Sequence, residues 1–372
     1  MEAALQAFLL DDLNLNEIVA NVIQLAYPIE EEEVVEWLVP PARNEQYYEE
    51  TVPRYSPDDF RKHFRMSRNC MELLCVDIGA RLESACRDVP LQKEVMVCVW
   101  VLAKQESFLS VGDRFGIAPS TAHFVYEEVV QCLHMAMDDY IKWPTEAKAL
   151  ESVNVFQLRS RGIPRVVGAI DGCHIPIQQP AGNPIDYYNR KGFHSIILQG
   201  VCDEGMRFID IAVGMPGRMH DARVFENSPL RQKLVVERVL GPDRHLIGDA
   251  AYPLLGCLIT PFRNSGNLTY TQVVFNTRLS TIRSVVERAF GLLKGKFRRL
   301  KYLNMANRGL LTRSVAACCV LHNFLLQTEG EEEMALAQDD YEAYEEPEGD
   351  ADVREGGYQE GRAKRENTMG LL

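Results

Sequence analysis

The sequence predicts an α/β protein in which an all-helical region precedes a mixed sheet flanked by helices. Three observations lead there. Apolar residues recur at helical spacing between residues 57 and 149, the period turns to that of strands after Pro164, and the charge divides sharply along the chain. With 372 residues, 46% apolar and 25% charged, the chain can build a sizeable core, which excludes wholesale disorder. The longest apolar run, Val95 to Ala103, is nine residues, far short of the ~20 of a membrane span. The start carries Glu2, Asp11 and Asp12 with no early base, so no signal peptide is read and no membrane is expected. The ten cysteines are scattered without a CxxC pair, which points to reduced thiols in the nucleus or cytoplasm.

The net charge of -13 hides a division. Residues 1–50 and 329–372 each carry -11, leaving +9 on residues 51–328, and Arg288 to Thr328 holds eight bases and no acid. A basic body fits a polyanion-binding surface, and acidic ends fit solvating tails, which would also suffice for solubility alone. Four regions follow: an acidic segment over 1–54, a helical domain over 55–150, an α/β domain over 151–328, and an acidic tail over 329–372 expected to be disordered. By competing for the Arg288 to Arg313 stretch, such a tail would weaken polyanion binding.

In chain order, Phe60, Phe64, Met71, Leu74 and Ile78 mark the first helices. Residues 109–133 are punctuated as a helix-turn-helix. One short helix ends near Phe115-Gly116, Ile117 plugs the turn, and Pro119 opens the next helix. Ser120, Thr121 and His123 then stand at the exposed start of the second helix, where such units meet DNA. An ordinary helical hairpin would read the same way. Arg165 to Ile170 suits a buried strand. Ser195 to Val201 and Phe208 to Val213 form a hairpin around Asp203-Glu204-Gly205, and His245 to Gly248 is a further short strand. Leu279 to Leu300 is an amphipathic helix with Lys294, Lys296, Arg298 and Arg299 on its basic side. Thr312 to Leu326 is a mostly apolar one.

Three carboxylates interrupt apolar surroundings. Asp171 directly follows the strand ending at Ile170, Asp249 follows His245 to Gly248, and Glu287 lies within Val285 to Phe290. Acids at strand ends sit where α/β sheets open to ligand. Clustered carboxylates repel unless cations neutralise them, and hard oxygen donors select Mg²⁺ or Mn²⁺. Two such ions would support in-line phosphoryl displacement on a polyanion such as DNA. Taken singly, each acid has another reading: an Asp after a strand caps a helix, and Glu287 pairs with Arg283 or Arg288.

Five ordered motifs between Phe60 and Leu326 resemble the PIF/Harbinger superfamily of DDE transposases and the Harbinger transposase-derived nucleases. They begin at Ile170-Asp-Gly-Cys-His174 and Tyr188-Asn-Arg-Lys-Gly-Phe193, continue through Gly214 to Val224, Gly248-Asp-Ala-Ala-Tyr252 and Val286 to Leu300, with Ala316 to Asn323 agreeing as well. The resemblance implies an RNase H-like catalytic domain, with the family's catalytic and metal-binding acids at Asp171, Asp249 and Glu287. It also implies metal-dependent DNA cleavage, strand transfer by the freed 3′-hydroxyl in active transposases, a nuclear setting, and a separate Myb/SANT-like partner. Self-association is left open. One departure stands out: Leu279-Ser280 occupies the place of the family's His-Ser or His-Ala pair.

Other residues have two readings each. Asp221 either caps a helix or supports the metal site from behind. Arg190, Lys191 and Arg218 are phosphate contacts or ordinary surface. Cys318, Cys319 and His322 pack in a core or bind zinc, with packing favoured. Arg362 to Arg365 is a weak import-like cluster. The alternative to a nuclease is a domesticated transposase kept as a non-catalytic DNA- or chromatin-binding adaptor.

Overall fold

The computed structural model describes residues 44, 46–82, 89–264, 266–330 and 359–372. Most of the acidic N-terminal segment and residues 331–358 of the acidic tail therefore lie outside the described residues.

Helices α1 (Pro57–Phe64), α2 (Arg68–Arg81) and α3 (Leu91–Ala103) form where the apolar spacing predicts them. Ser56 and Ser67 open α1 and α2 by accepting the backbone N–H groups of Asp59 and Cys70. Helix α3 is apolar all round, and Val95 to Ala103 is buried throughout. Helices α4 (Phe108–Phe115) and α5 (Pro119–Met135) follow. The turn between them has Gly116 at φ 66°, Ile117 buried, and Pro119 at the first turn of α5. A Cβ at Gly112 would come within 2.7 Å of the Ile117 carbonyl oxygen, so only glycine lets α4 accept the returning chain so closely.

Helix α6 (Glu146–Arg159) leads into the sheet, and the expected boundary at residue 150 falls inside it. The five strands are β1 (Val166–Pro176), β2 (Ser195–Cys202), β3 (Phe208–Pro216), β4 (His245–Ile247) and β5 (Leu258–Ile259). Their order is β3-β2-β1-β4-β5, antiparallel on the hairpin side of β1 and parallel on the β4 and β5 side. Helix α7 (Asp221–Asn227) lies between β3 and β4. Helix α8 (Tyr270–Lys296) is fixed at its start by a capping box between Thr269 and Gln272 and crosses the sheet. Helix α9 (Arg308–Thr328) is long and apolar enough to cross a membrane, but here it is the core helix, with Cys318, Cys319 and His322 fully buried.

One continuous core joins the helical region to the sheet, running from Phe60 and Trp100 through Tyr126 to Leu321 and Phe324. Polar groups lock the seam. The Tyr126 and Ser314 hydroxyls lie 2.6 Å apart, and Asn323 on α9 satisfies both backbone groups of Phe208 while donating to the Tyr140 carbonyl. His322 bonds the Met206 carbonyl through Nε2, and burial holds its pKa down to about 4, so it stands in the core of α9 as a neutral imidazole. The described cysteines are free.

Two expectations are corrected. Strand β1 does not end at Ile170 but continues to Pro176, because β2 offers an unbroken antiparallel partner from Ser195 to Cys202. The tail is not disordered at its end: Gln359–Gly370 forms α10 against β5 and α8. There Lys364 Nζ donates to the carbonyls of Arg244 and Gly256. Arg365 donates to the Pro261 carbonyl and lies 4.0 Å over the Phe262 ring. Two bases of the import-like cluster thus cap the edge of the sheet.

The hairpin turn supplies a stability test. Asp203 accepts the N–H groups of Gly205 and Arg207, yet burial, reinforced by Glu204, pushes its carboxyl up to about 6. A folded-state pKa above the unfolded value favours the protonated fold, so the stability from this group is full below about pH 4 and is lost as pH rises through about 6. Asp203→Asn keeps the acceptor oxygen without the charge. It is expected to stabilise the protein by about 1–3 kcal/mol at pH 7.5 and by much less at pH 4.5, read as urea midpoints at the two pH values.

Candidate active site

The site lies where β4 stops. Strand β4 pairs with β1 only as far as Ala169 and Ile247, so beyond that point one side of β1 is open beside Asp171. Asp171 sits within the strand, opposite Gly200 of β2, and Asp249 follows β4 by two residues. Two glycines on opposite faces of the sheet let neighbouring elements close in. A Cβ at Gly200 would come within 2.9 Å of Phe208 and 3.1 Å of Phe290, so its absence lets Phe290 of α8 descend onto the sheet. Glu287 is three residues earlier on that helix and is linked to Asp171 through Arg283. A Cβ at Gly172 would lie 2.6 Å from Asp221 Oδ1, so α7 brings its first residue against the other face.

Arg283 joins the two acids that come from different elements. Its Nη1 donates to Asp171 Oδ2 at 3.1 Å and its Nη2 lies 2.6 Å from Glu287 Oε1. Asp171 Oδ1 accepts the Gly172 N–H, and Asp249 Oδ1 accepts that of Ala251. Burial pushes the Asp171 carboxyl well above the usual carboxylate range. Arg283 pulls it back, while Asp249 and Asp221 push it further up. Burial works against the Arg283 charge, but Asp171, Glu287 and Asp249 together keep it firmly protonated. Tyr252, buried beside Asp221, Asp171 and Asp249 and close to Gln199, has its hydroxyl held far from ionisation by the same burial and charges.

Among the described residues, no three carboxylate, imidazole or thiol groups stand close enough to chelate one ion. A guanidinium instead bridges two of the carboxylates, Asp171 and Glu287. The donor set itself fits a hard divalent cation, since its members are carboxylate oxygens already gathered around a positive charge.

Other sequence-predicted residues divide by exposure. Arg190 contacts His220, next to Asp221, from a loop organised by Asn189, whose side-chain Oδ1 accepts the Lys191 N–H. Arg218 is exposed and lines a shallow pocket with Tyr188 and His194. Lys294 Nζ donates to the His174 carbonyl and is half-buried. Lys296 and Arg299 are not surface groups: Lys296 is buried, donating to the Arg65 carbonyl and facing Glu329, and Arg299 donates to the Glu106 carbonyl. Arg298 is half-buried. Ser120 and His123 are exposed and Thr121 is half-buried, at the start of α5. Leu279 is buried in the core on α8, which removes this position from any DNA-facing role. The reading of residues in isolation missed Tyr252 and Gln199. A tyrosine three residues after Asp249 and a glutamine inside an apolar strand were the available signals.

Comparison with known proteins agrees with the geometry. The DDE superfamily endonuclease family matches residues 170–323, which span Asp171, Asp249 and Glu287. The chain is 29% identical over 298 residues to the Arabidopsis thaliana protein named "Antagonist of like heterochromatin protein 1", covering 74% of this chain and 75% of that one. It is 28% identical to an Arabidopsis thaliana "Protein ALP1-like", covering 73% and 72%. It is 26% identical to the Homo sapiens "Putative nuclease HARBI1", covering 74% and 81%. No solved structure matches it significantly.

If Gly200 exists to admit α8, then Gly200→Ala is expected to destabilise the protein by about 1–3 kcal/mol through overpacking. Gly370→Ala, where nothing lies within 4 Å, is expected to change stability by less than about 0.5 kcal/mol. Chemical denaturation of both variants beside wild type checks this.

Proposed function

Because the chain belongs to the family of Harbinger-derived DDE nucleases, we propose that it is a metal-dependent DNA endonuclease whose site is Asp171, Asp249 and Glu287. The observation that carries this reading is the Arg283 bridge between Asp171 and Glu287 beside the open side of β1, with Asp249 near enough to act on the charge of both Asp171 and Arg283. The strand order, with three antiparallel strands and two parallel strands added beside β1, supports an RNase H-like catalytic unit. Divalent cations held by these carboxylates, Mg²⁺ or Mn²⁺ and two in number, would supply Lewis acidity to an in-line displacement at phosphorus.

The chain's own residues do the rest. Asp171, buried on a rigid central strand, fixes the origin of the site. Asp249 and Glu287 approach from the end of β4 and from α8. Asp221 stands behind Gly172, positioned to support rather than to hold. Arg190 and Arg218, which are exposed, and Lys191 and Lys294, which are half-buried, would offer charge to a phosphate backbone. Helices α4 and α5 present Ser120 and His123 as a helix-turn-helix would. Under this reading the protein works in the nucleus with a Myb/SANT-like partner, and a 3′-hydroxyl freed by cleavage is available for strand transfer.

A second reading has one observation in its favour: an Arabidopsis relative is named as an antagonist of a heterochromatin protein, which suits a DNA- or chromatin-binding adaptor that no longer cuts. An adaptor has no need of these three acids. Nicking of supercoiled plasmid in Mn²⁺ separates the two. Asp171→Asn, Asp249→Asn and Glu287→Gln are each expected to lower nicking by at least about a hundredfold with the fold retained. DNA binding that is indifferent to metal, with no nicking by wild type, favours the adaptor.

A further inference from the structure

We propose that Arg283 is a built-in counter-ion of the acid cluster, holding Asp171 and Glu287 together in the metal-free protein and competing with divalent cations for the same oxygens. The inference rests on reading the cluster as a metal site.

Asp171 has two carboxylate oxygens. Oδ1 is engaged by the Gly172 N–H at 2.8 Å, which leaves Oδ2 for an external cation, and Oδ2 is the atom that Arg283 Nη1 contacts at 3.1 Å. The other arm of the same guanidinium holds Glu287 Oε1 at 2.6 Å. A planar fork bonding two carboxylates at once is something arginine does and a lysine ammonium does less well. The bridge also crosses elements: Asp171 belongs to the sheet, whereas Arg283 and Glu287 lie one helical turn apart on α8. The Glu287 side chain is half-exposed, and its contact with Arg283 turns it towards Asp171. Asp249 and Asp221 add negative charge around Asp171 without filling that position.

A mostly buried carboxylate among other acids needs a cation when no metal is present, and Arg283 supplies one. A divalent cation binding Asp171 and Glu287 must break at least one of these contacts. Its apparent affinity is therefore lowered by the stability of the bridge, as any two ligands exclusive at one site oppose each other. Arg283 is thus a positioning residue. It assembles the site before metal binds and gives up its carboxylate oxygens when metal arrives.

The test uses the full chain as wild type, Arg283→Gln, Arg283→Lys and Asp171→Asn. Mn²⁺ binding is followed by the electron paramagnetic resonance signal of the free ion, and thermal midpoints are taken in chelator. Arg283→Gln is expected to bind Mn²⁺ at least about fivefold more tightly than wild type while melting lower without metal, with Arg283→Lys between the two. Unchanged or weaker Mn²⁺ binding in both Arg283 variants, with binding by wild type lost in Asp171→Asn, overturns the competition and leaves the metal site standing. Absence of Mn²⁺ binding in every protein overturns the metal-site reading and this inference with it.

Discussion

A carboxylate in the middle of a central strand is the constraint around which this protein is arranged. Asp171 is mostly buried, and an ionised group there needs compensation that water cannot give. The fold answers in three ways. Strand β4 stops early and leaves β1 open at that level, the Gly172 N–H bonds one oxygen, and the Arg283 guanidinium bonds the other. The glycines at 172 and 200 follow from the same need, because each lets a helix bring polar groups within reach of a strand whose neighbours are otherwise apolar. Acids assembled in this way around a positive charge are what the proposed metal-dependent cleavage would need.

Rigidity around the site comes from a core that does not respect the division between helical and sheet regions. Helix α9 packs against both α5 and β3, so Tyr126 and Ser314 meet on one side while Asn323 grips Phe208 on the other. The α4–α5 pair is thereby fixed in orientation relative to the acids. Under the proposed function, a helix pair and a site held on one rigid body would set a fixed offset between the DNA contacted and the bond broken, which a flexible linker would leave loose.

The sequence was informative where a pattern repeats or a residue type has few uses. Helical spacing located α1 to α3, glycine and proline marked the turn at Gly116 and Pro119, and acids within apolar stretches pointed to Asp171 and Glu287, which the structure joins through Arg283. It was less informative where tertiary contacts decide. Asp171 looks like the end of a strand because a carboxylate rarely sits inside one, and only the pairing with β2 keeps the strand going to Pro176. Lys296 and Arg299 look like exposed bases on an amphipathic helix. Both are drawn inward by backbone carbonyls on α1 to α4 connections that no local window reveals. The tail's last residues are polar enough to read as disordered, yet Lys364 and Arg365 find carbonyls at the edge of the sheet and a helix forms on them.

Under the proposed function, Asp171, Asp249 and Glu287 form one cation site beside the open side of β1. Crystals grown with Mn²⁺ and measured for anomalous scattering test it most directly. An anomalous peak is expected about 2.1 Å from a carboxylate oxygen of Asp171, shared with Asp249 or Glu287, with Arg283 turned away from at least one acid. A fully occupied peak elsewhere on the protein, with Arg283 still bridging Asp171 and Glu287 at saturating Mn²⁺, would contradict it.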